Sequence, residues 1–249
     1  MAKLKARRFL PHPDLVAREY QLKLNLYLKR MHDIAMSALA PVLHELDIRQ
    51  KMDAKPPSFE QALKQAQREL EKAYPTKSLN KLVAPSFDPI SKMSKFRVTA
   101  LTTLPSPKVE KWLPGKQAEY VQANVELIKS LPERYFEGIS KLIIESADMR
   151  ADVLQAKLEE RYGVSESQAE LIAVDQTNKL VAELDRERMS KLGITRATWQ
   201  TSNDERVRES HAEVNGEEFD IEEGLQVDGE QAWPGSPVRC RCVSIPIID

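Results

Sequence analysis

"VSESQAELIAVDQTNKLVAELDRERMSKLGITRATWQTS", residues 164–202, changes its period partway along. Up to Gly193 the apolar residues Leu171, Ile172, Val174, Leu180, Val181 and Leu184 recur at helical spacing, which gathers them into one packing stripe. Ser165 followed by Gln168 has the form of a capping box and predicts the start of this helix. Gly193 predicts its stop, because glycine takes the left-handed conformation without steric cost. Beyond it "ITRATWQTS" alternates and is rich in threonine, which is the pattern of a strand. A change from long helix to short strand at one glycine predicts an α+β fold. Its N-terminal and middle regions are long and mainly helical, and a small α+β unit follows at the C-terminal end.

Working upstream, "RADVLQAKLEERYG" predicts a separate helix closed by Gly163. "KQAEYVQANVELIKSL" places Tyr120, Val121, Val125, Leu127 and Ile128 near one side, and "ERYFEGISKLIIESADMR" resumes after Pro132. Residues 76–118 are interrupted by Pro85, Pro89, Pro105, Pro107 and Pro114 and read as short helices or strands with loops. "PPSFEQALKQAQRELEKAYP" is a helix with a capping box at Ser58 and Gln61 and a stop at Pro75. From Pro13-Asp14, Leu22, Leu24, Leu26 and Leu28 are spaced by two, yet the length and leucine content of the run favour helix. Downstream, "NDERVRESHAEVNG" reads as a turn and a short helix ending at Asn215-Gly216. "EEFDIEEGLQVDGEQAWPGS" is acidic and turn-rich, and "VRCRCVSIPI" reads as a final strand. These readings divide the chain into 1–109, 110–193 and 194–249.

The 249 residues suffice for a sizeable core, and 15 prolines against 8 glycines suit helices separated by breaks. No apolar run approaches the ~18–20 residues that a bilayer requires, so no membrane partner is expected. The start, "MAKLKARRFLPHP", lacks the apolar core of a signal peptide, so a reducing cytoplasm is the expected place of synthesis. The net charge of −1 conceals an asymmetry. Residues 1–100 carry 19 Lys and Arg against 10 Asp and Glu, whereas residues 101–249 carry 18 against 28. The basic charge is spread rather than clustered, which suits solvated helix faces and at most weak, non-specific contact with DNA.

"ATWQTSNDERVRESHAEVNGEEF" followed by "PGSPVRCRCVSIP" resembles the phage head morphogenesis domain of phage Mu F-type minor head proteins. The matching residues are Trp199, Thr201, Asp204, Arg206, Val207, Arg208, His211, Gly216, Pro234, Gly235, Cys240, Arg241 and Cys242. "NVELIKSL" and "SQAELIAVDQTNKL" also look like helices of that family, although Val174 stands where an arginine is usual. The resemblance covers about residues 110–246, and residues 1–100 match nothing in it. It implies a structural protein of the virion, in the capsid interior or at the portal vertex, assembled in the host cytoplasm. The implied partners are the portal protein and capsid or scaffold proteins; the alternative is a DNA-binding or metal-dependent accessory protein of phage DNA packaging or ejection. The family's domain also occurs joined to toxin or enzyme domains. No such addition is expected here, because the sequence stops three residues after Pro246.

Read for chemistry alone, Asp204, Arg208 and His211 share a face if residues 204–213 form a turn and helix, with Asp204 suited to the N-cap. A buried polar network that fixes a small unit is the simplest role for them. Alternation on a strand would turn Cys240 and Cys242 to one side. Arg239 and Arg241 would then lie opposite, near the acidic stretch 217–230. The two thiols are expected to be reduced and packed beside the Trp199 strand and His211, with no metal or cofactor. A tetrahedral zinc site made with His211, and with Asp204 as a further candidate ligand, stays open as the alternative, although zinc pairs usually come as Cys-x2-Cys and only two cysteines exist. A disulfide between them would be strained, and a catalytic thiol lacks a visible oxyanion site. A hydrolase centred on Asp204 and His211 would want carboxylates at metal spacing, so no enzymatic activity is expected.

Overall fold

A computed structural model of the chain describes residues 13–50, 58–105, 107–145 and 150–248. In chain order the elements are α1 (Asp14–Gln50), α2 (Phe59–Ala73), α3 (Thr76–Val83), α4 (Phe87–Thr102), α5 (Leu113–Glu145) and α6 (Ala151–Lys191). They are followed by β1 (Arg196–Gln200), α7 (Glu209–Glu213), β2 (Glu218–Asp220), β3 (Leu225–Val227), β4 (Glu230–Ala232) and β5 (Val243–Pro246). The class is the expected α+β, with long helices first and a small antiparallel unit after them.

Contacts divide the chain into two compact units. One comprises Gln21–Ala84 and Val121–Glu170. The other comprises the described residues of Met1–Tyr20, Pro85–Tyr120 and Leu171–Asp249.

The first unit is helical. Ala62, Leu63, Ala66 and Leu70 form the buried stripe of α2, spaced as an amphipathic helix requires. On α1 the ambiguous two-residue leucine spacing resolves into two faces: Leu24 and Leu28 are buried, while Leu22 and Leu26 face solvent. His32 is buried here, with Nδ1 2.6 Å from the Tyr135 hydroxyl, Nε2 3.3 Å from Glu159 and its ring stacked on Tyr162. Burial drives the Tyr135 hydroxyl well above its ordinary pKa.

Several local stop and start signals are overridden in these helices. Helix α5 runs through Pro132, and α6 runs through both Gly163 and Ser165. Ser165 is therefore not a cap; its hydroxyl bonds back to the carbonyl of Arg161. The physical reason is a continuous buried stripe of Leu154, Leu158, Ser165 and Ala169, whose burial outweighs a helix break at the glycine. Ser58 does occupy the N-cap of α2, but its side chain makes no capping bond. Residues 76–118 hold α3, a 3-10 turn at Ala84–Ser86, α4 and the start of α5, with no strand among the described residues.

The second unit carries the sheets. Strand β1 is central, in the order β2-β1-β5, and antiparallel to both neighbours; β3 and β4 form a separate hairpin. Gly193 adopts φ +77° just beyond α6, as a helix stop requires, and releases the chain into β1. Trp199 of β1 is fully buried and packs with Phe219, Met189, Ile194 and Val98. Beneath this core lies a buried ionic cluster. Arg97 Nε lies 3.0 Å from Asp185, and the Asp185 carboxylate also accepts a bond from Ser94. Arg188 spans Glu110 with two bonds of 2.8 and 2.9 Å and donates to both the carbonyl and the hydroxyl of Ser91. Two cations thus meet two carboxylates, which offsets the cost of removing them from water.

Candidate functional site

The motif residues converge on His211. Helix α7 is a single turn whose N-cap is Arg208 rather than Asp204. The expectation that Asp204, Arg208 and His211 share a helical face is therefore corrected: Asp204 lies in the preceding turn, where its carboxylate accepts the backbone N–H of Arg206. Arg208 instead directs its guanidinium to the carbonyl of Val238. The Arg206 side chain is largely exposed, 3.9 Å from Asp204.

The final strand is also shorter than expected. It begins at Val243, and both cysteines precede it. A turn in which the Cys240 N–H bonds to the carbonyl of Pro237, with Arg239 at φ +57°, breaks the extended path that the alternation suggested. The two cysteines are nevertheless buried, form no disulfide and both face His211. Arg241 does not reach the acidic stretch 217–230 either. Its Nη1 and Nη2 lie 2.5 and 2.6 Å from the two oxygens of Asp204, a bidentate pair. That pairing holds the Asp204 carboxyl far below the usual carboxylate range.

At the centre, His211 Nδ1 lies 3.6 Å from Cys240 Sγ and 3.5 Å from Cys242 Sγ. All three side chains are buried, and their ligating atoms lie within 4.8 Å of one another. Cys240 Sγ also receives the backbone N–H groups of Gly235, at 3.3 Å, and Cys242, at 3.4 Å. The bond with the Cys242 side chain, those two N–H groups and His211 pull the Cys240 thiol down to about 6, although burial pushes the other way. His211 Nε2 and Trp199 Nε1 are buried with no hydrogen-bond partner among the described residues, and the two rings meet edge to face at 5.6 Å.

The remaining motif residues shape this centre. Gly216, at φ +93°, donates its N–H to the carbonyl of Trp199, which extends the pairing of β1 beyond β2. Thr201 is buried and bonds to both Asn203 and Asn215. Pro234 is buried, and Gly235, at φ +91°, lies so close to α6 that an added Cβ would stand 3.0 Å from that of Ala182.

Sequence reasoning passed over three contributors. Asn178 of α6 donates to the Cys240 carbonyl, Asp175 accepts the Arg239 N–H, and Asn215 accepts from Thr201. The available signal was the polar run Asp175, Thr177 and Asn178 within the apolar stripe of α6, since polar groups at core positions need partners. Val174, the departure from the family pattern, is half-buried on the same helix.

Residues 148–245 match the family described as Phage Mu protein F like protein, so the resemblance read from the motif holds over this stretch. The match covers α6 and nearly all of the C-terminal unit, and includes every motif residue described above. An uncharacterized protein of Haemophilus influenzae (strain ATCC 51907 / DSM 11121 / KW20 / Rd) is 36% identical over 129 residues. That stretch is 51% of this chain and 28% of the relative, so the chain spans little more than a quarter of that protein's length. No solved structure matches the chain.

Proposed function

We propose that this chain, whose residues 148–245 carry the phage Mu protein F like domain, is a structural minor head protein that works in phage head morphogenesis at the portal. The observation that carries the reading is the coincidence of the family match with one packed cluster: Trp199, Thr201, Asp204, His211, Gly235, Cys240, Arg241 and Cys242 converge on a single small unit. Docking on the portal and on capsid or scaffold proteins falls to the helical region, about 110–192. There Ile144, Val153 and Val164 are exposed, and their replacement tests the docking. The role is non-catalytic. Asp204, the candidate acid, is held by Arg241, and His211, the candidate base, is buried against two sulfurs. Among the described residues no helix is long and apolar enough to cross a membrane. In this reading, which rests on the family match, the protein's place is inside the head or at its portal vertex.

Co-expression with the portal protein of the same phage, followed by size-exclusion chromatography, tests the reading. Co-elution is expected, and it should weaken when Ile144 and Val164 are both replaced by Asp. Clean separation of the two native proteins at micromolar concentration would overturn portal association.

A further inference from the structure

We infer that Cys240, Cys242 and His211 form a zinc site with three protein ligands. The inference goes beyond a role in the phage head and stands on the geometry of the three side chains.

One nitrogen, His211 Nδ1, stands nearly equidistant from two sulfurs, at 3.5 and 3.6 Å. An imidazole nitrogen carries a single in-plane proton or lone pair, so it can aim a straight hydrogen bond at only one of them. Two equal distances are what a common central atom produces. With Zn–S near 2.3 Å and Zn–N near 2.0–2.1 Å, a tetrahedral ion separates its nitrogen and sulfur ligands by about 3.6 Å. The two nitrogen–sulfur edges have that length, and all three ligand atoms lie within 4.8 Å of one another.

Charge points the same way. A divalent cation with two thiolates sums to zero, so the loaded site carries no net charge into a buried place. Binding releases the two thiol protons to solvent, which balances the step. Of the arginines around the site, Arg241 is paired with Asp204, while Arg206, Arg208 and Arg239 add positive charge that favours the thiolate form of the two cysteines.

The fourth position falls to water. A cavity of about 20 Å³ touches all three side chains and is otherwise lined by Ser202, Val207 and four arginines, Arg206, Arg208, Arg239 and Arg241. That volume is about what one water occupies. Two thiolates and an imidazole favour zinc over the oxygen-seeking divalent ions. The spacing, Cys-x-Cys with a distant histidine, departs from the usual Cys-x2-Cys; Cys240 closes a turn begun at Pro237 and Cys242 follows it. The ion would tie the five-residue α7 to the segment just before the four-residue β5. Such a unit gains most from a metal staple.

The experiment uses the full chain, purified without a polyhistidine tag. Elemental analysis should find about one zinc per chain. After stripping by chelator, cobalt(II) added alone should develop thiolate-to-metal charge-transfer absorption with tetrahedral d–d bands, and zinc(II) should displace it. Zinc at about a hundred times its Kd should raise the melting temperature of the stripped protein by roughly 5–10 °C. Cys240→Ser and His211→Ala should each abolish the cobalt spectrum. Should these variants fail to fold, the titration of the native chain decides alone. Less than about a tenth of an equivalent of metal, with neither a cobalt band nor a melting shift, would overturn the site.

Discussion

Arg241 and Asp204, 37 positions apart, face each other with both guanidinium Nη atoms on both carboxylate oxygens. Asp204 is half-exposed, and its carboxyl is pushed down first by the Arg241 side-chain bond and further by the Arg206 N–H. A carboxyl whose folded pKa lies below its unfolded value adds stability that is present above the unfolded value, near pH 4, and is lost as pH falls from there through the folded one. Thermal melts of the native chain and of Asp204→Asn should therefore differ at pH 7 and converge progressively below about pH 4. An equal gap at pH 7 and at pH 2 would contradict this.

Arg97 and Asp185 pose the opposite case, because both are buried. Burial pushes the Asp185 carboxyl up, while Arg97 and Ser94 pull it back. Removing one partner strands a charge in the core, so Asp185→Ala should cost about 3–5 kcal/mol in urea unfolding. Replacing both with apolar residues, Arg97→Met with Asp185→Leu, should cost far less than the two single changes combined. Additive losses would show that the pair is not a unit.

Two glycines of the β3–β4 region separate backbone strain from collision. Gly224 and Gly229 are both left-handed, at φ +70° and +80°. A Cβ at Gly224 would stand 2.6 Å from the carbonyl oxygen of Ala232, whereas at Gly229 it meets nothing within 4 Å. Gly229→Ala should cost about 1–2 kcal/mol, the left-handed penalty alone. Gly224→Ala should cost about 2–4 kcal/mol, since a backbone carbonyl cannot swing aside as a side chain does. Chemical denaturation of the two variants should rank them in that order.

The basic charge of residues 1–100 should give DNA retention that is weak and indifferent to sequence. Gel shifts with two unrelated duplexes should agree, and retention should disappear by about 0.5 M salt. Preference for one duplex would imply base readout instead.

Much of the fold was legible in the sequence because periodicity and terminators agreed where they mattered. Gly193 stops a helix and Trp199 lies on a strand, as the residues alone suggested. Gly163 misled because a glycine ends a helix only when the next turn gains nothing by continuing, and Ser165 and Ala169 gain burial. The site was legible as a set of residues but less so as a geometry. Alternation placed the cysteines on a strand, whereas Pro237 and the left-handed Arg239 form a turn. The meeting of His211 with both sulfurs depends on contacts 29 and 31 residues apart in sequence, which no local pattern encodes. Asp175 and Asn178 stayed hidden for the same reason, since their partners lie more than sixty positions downstream.

The Arg188–Glu110 fork also bears on how the sequence can drift. Arg188 spends donors on Glu110 and on two oxygens of Ser91, and its guanidinium lies 5.7 Å from the ring of Trp112. Lysine keeps the charge but not the planar fork, and glutamine at position 110 keeps the shape but not the charge. Every single step away from the pair thus passes through a less stable protein. Position 110, in a connecting loop where substitution is ordinarily cheap, is bound to the history of position 188. Among descendants of this chain the two should change together or stay as they are.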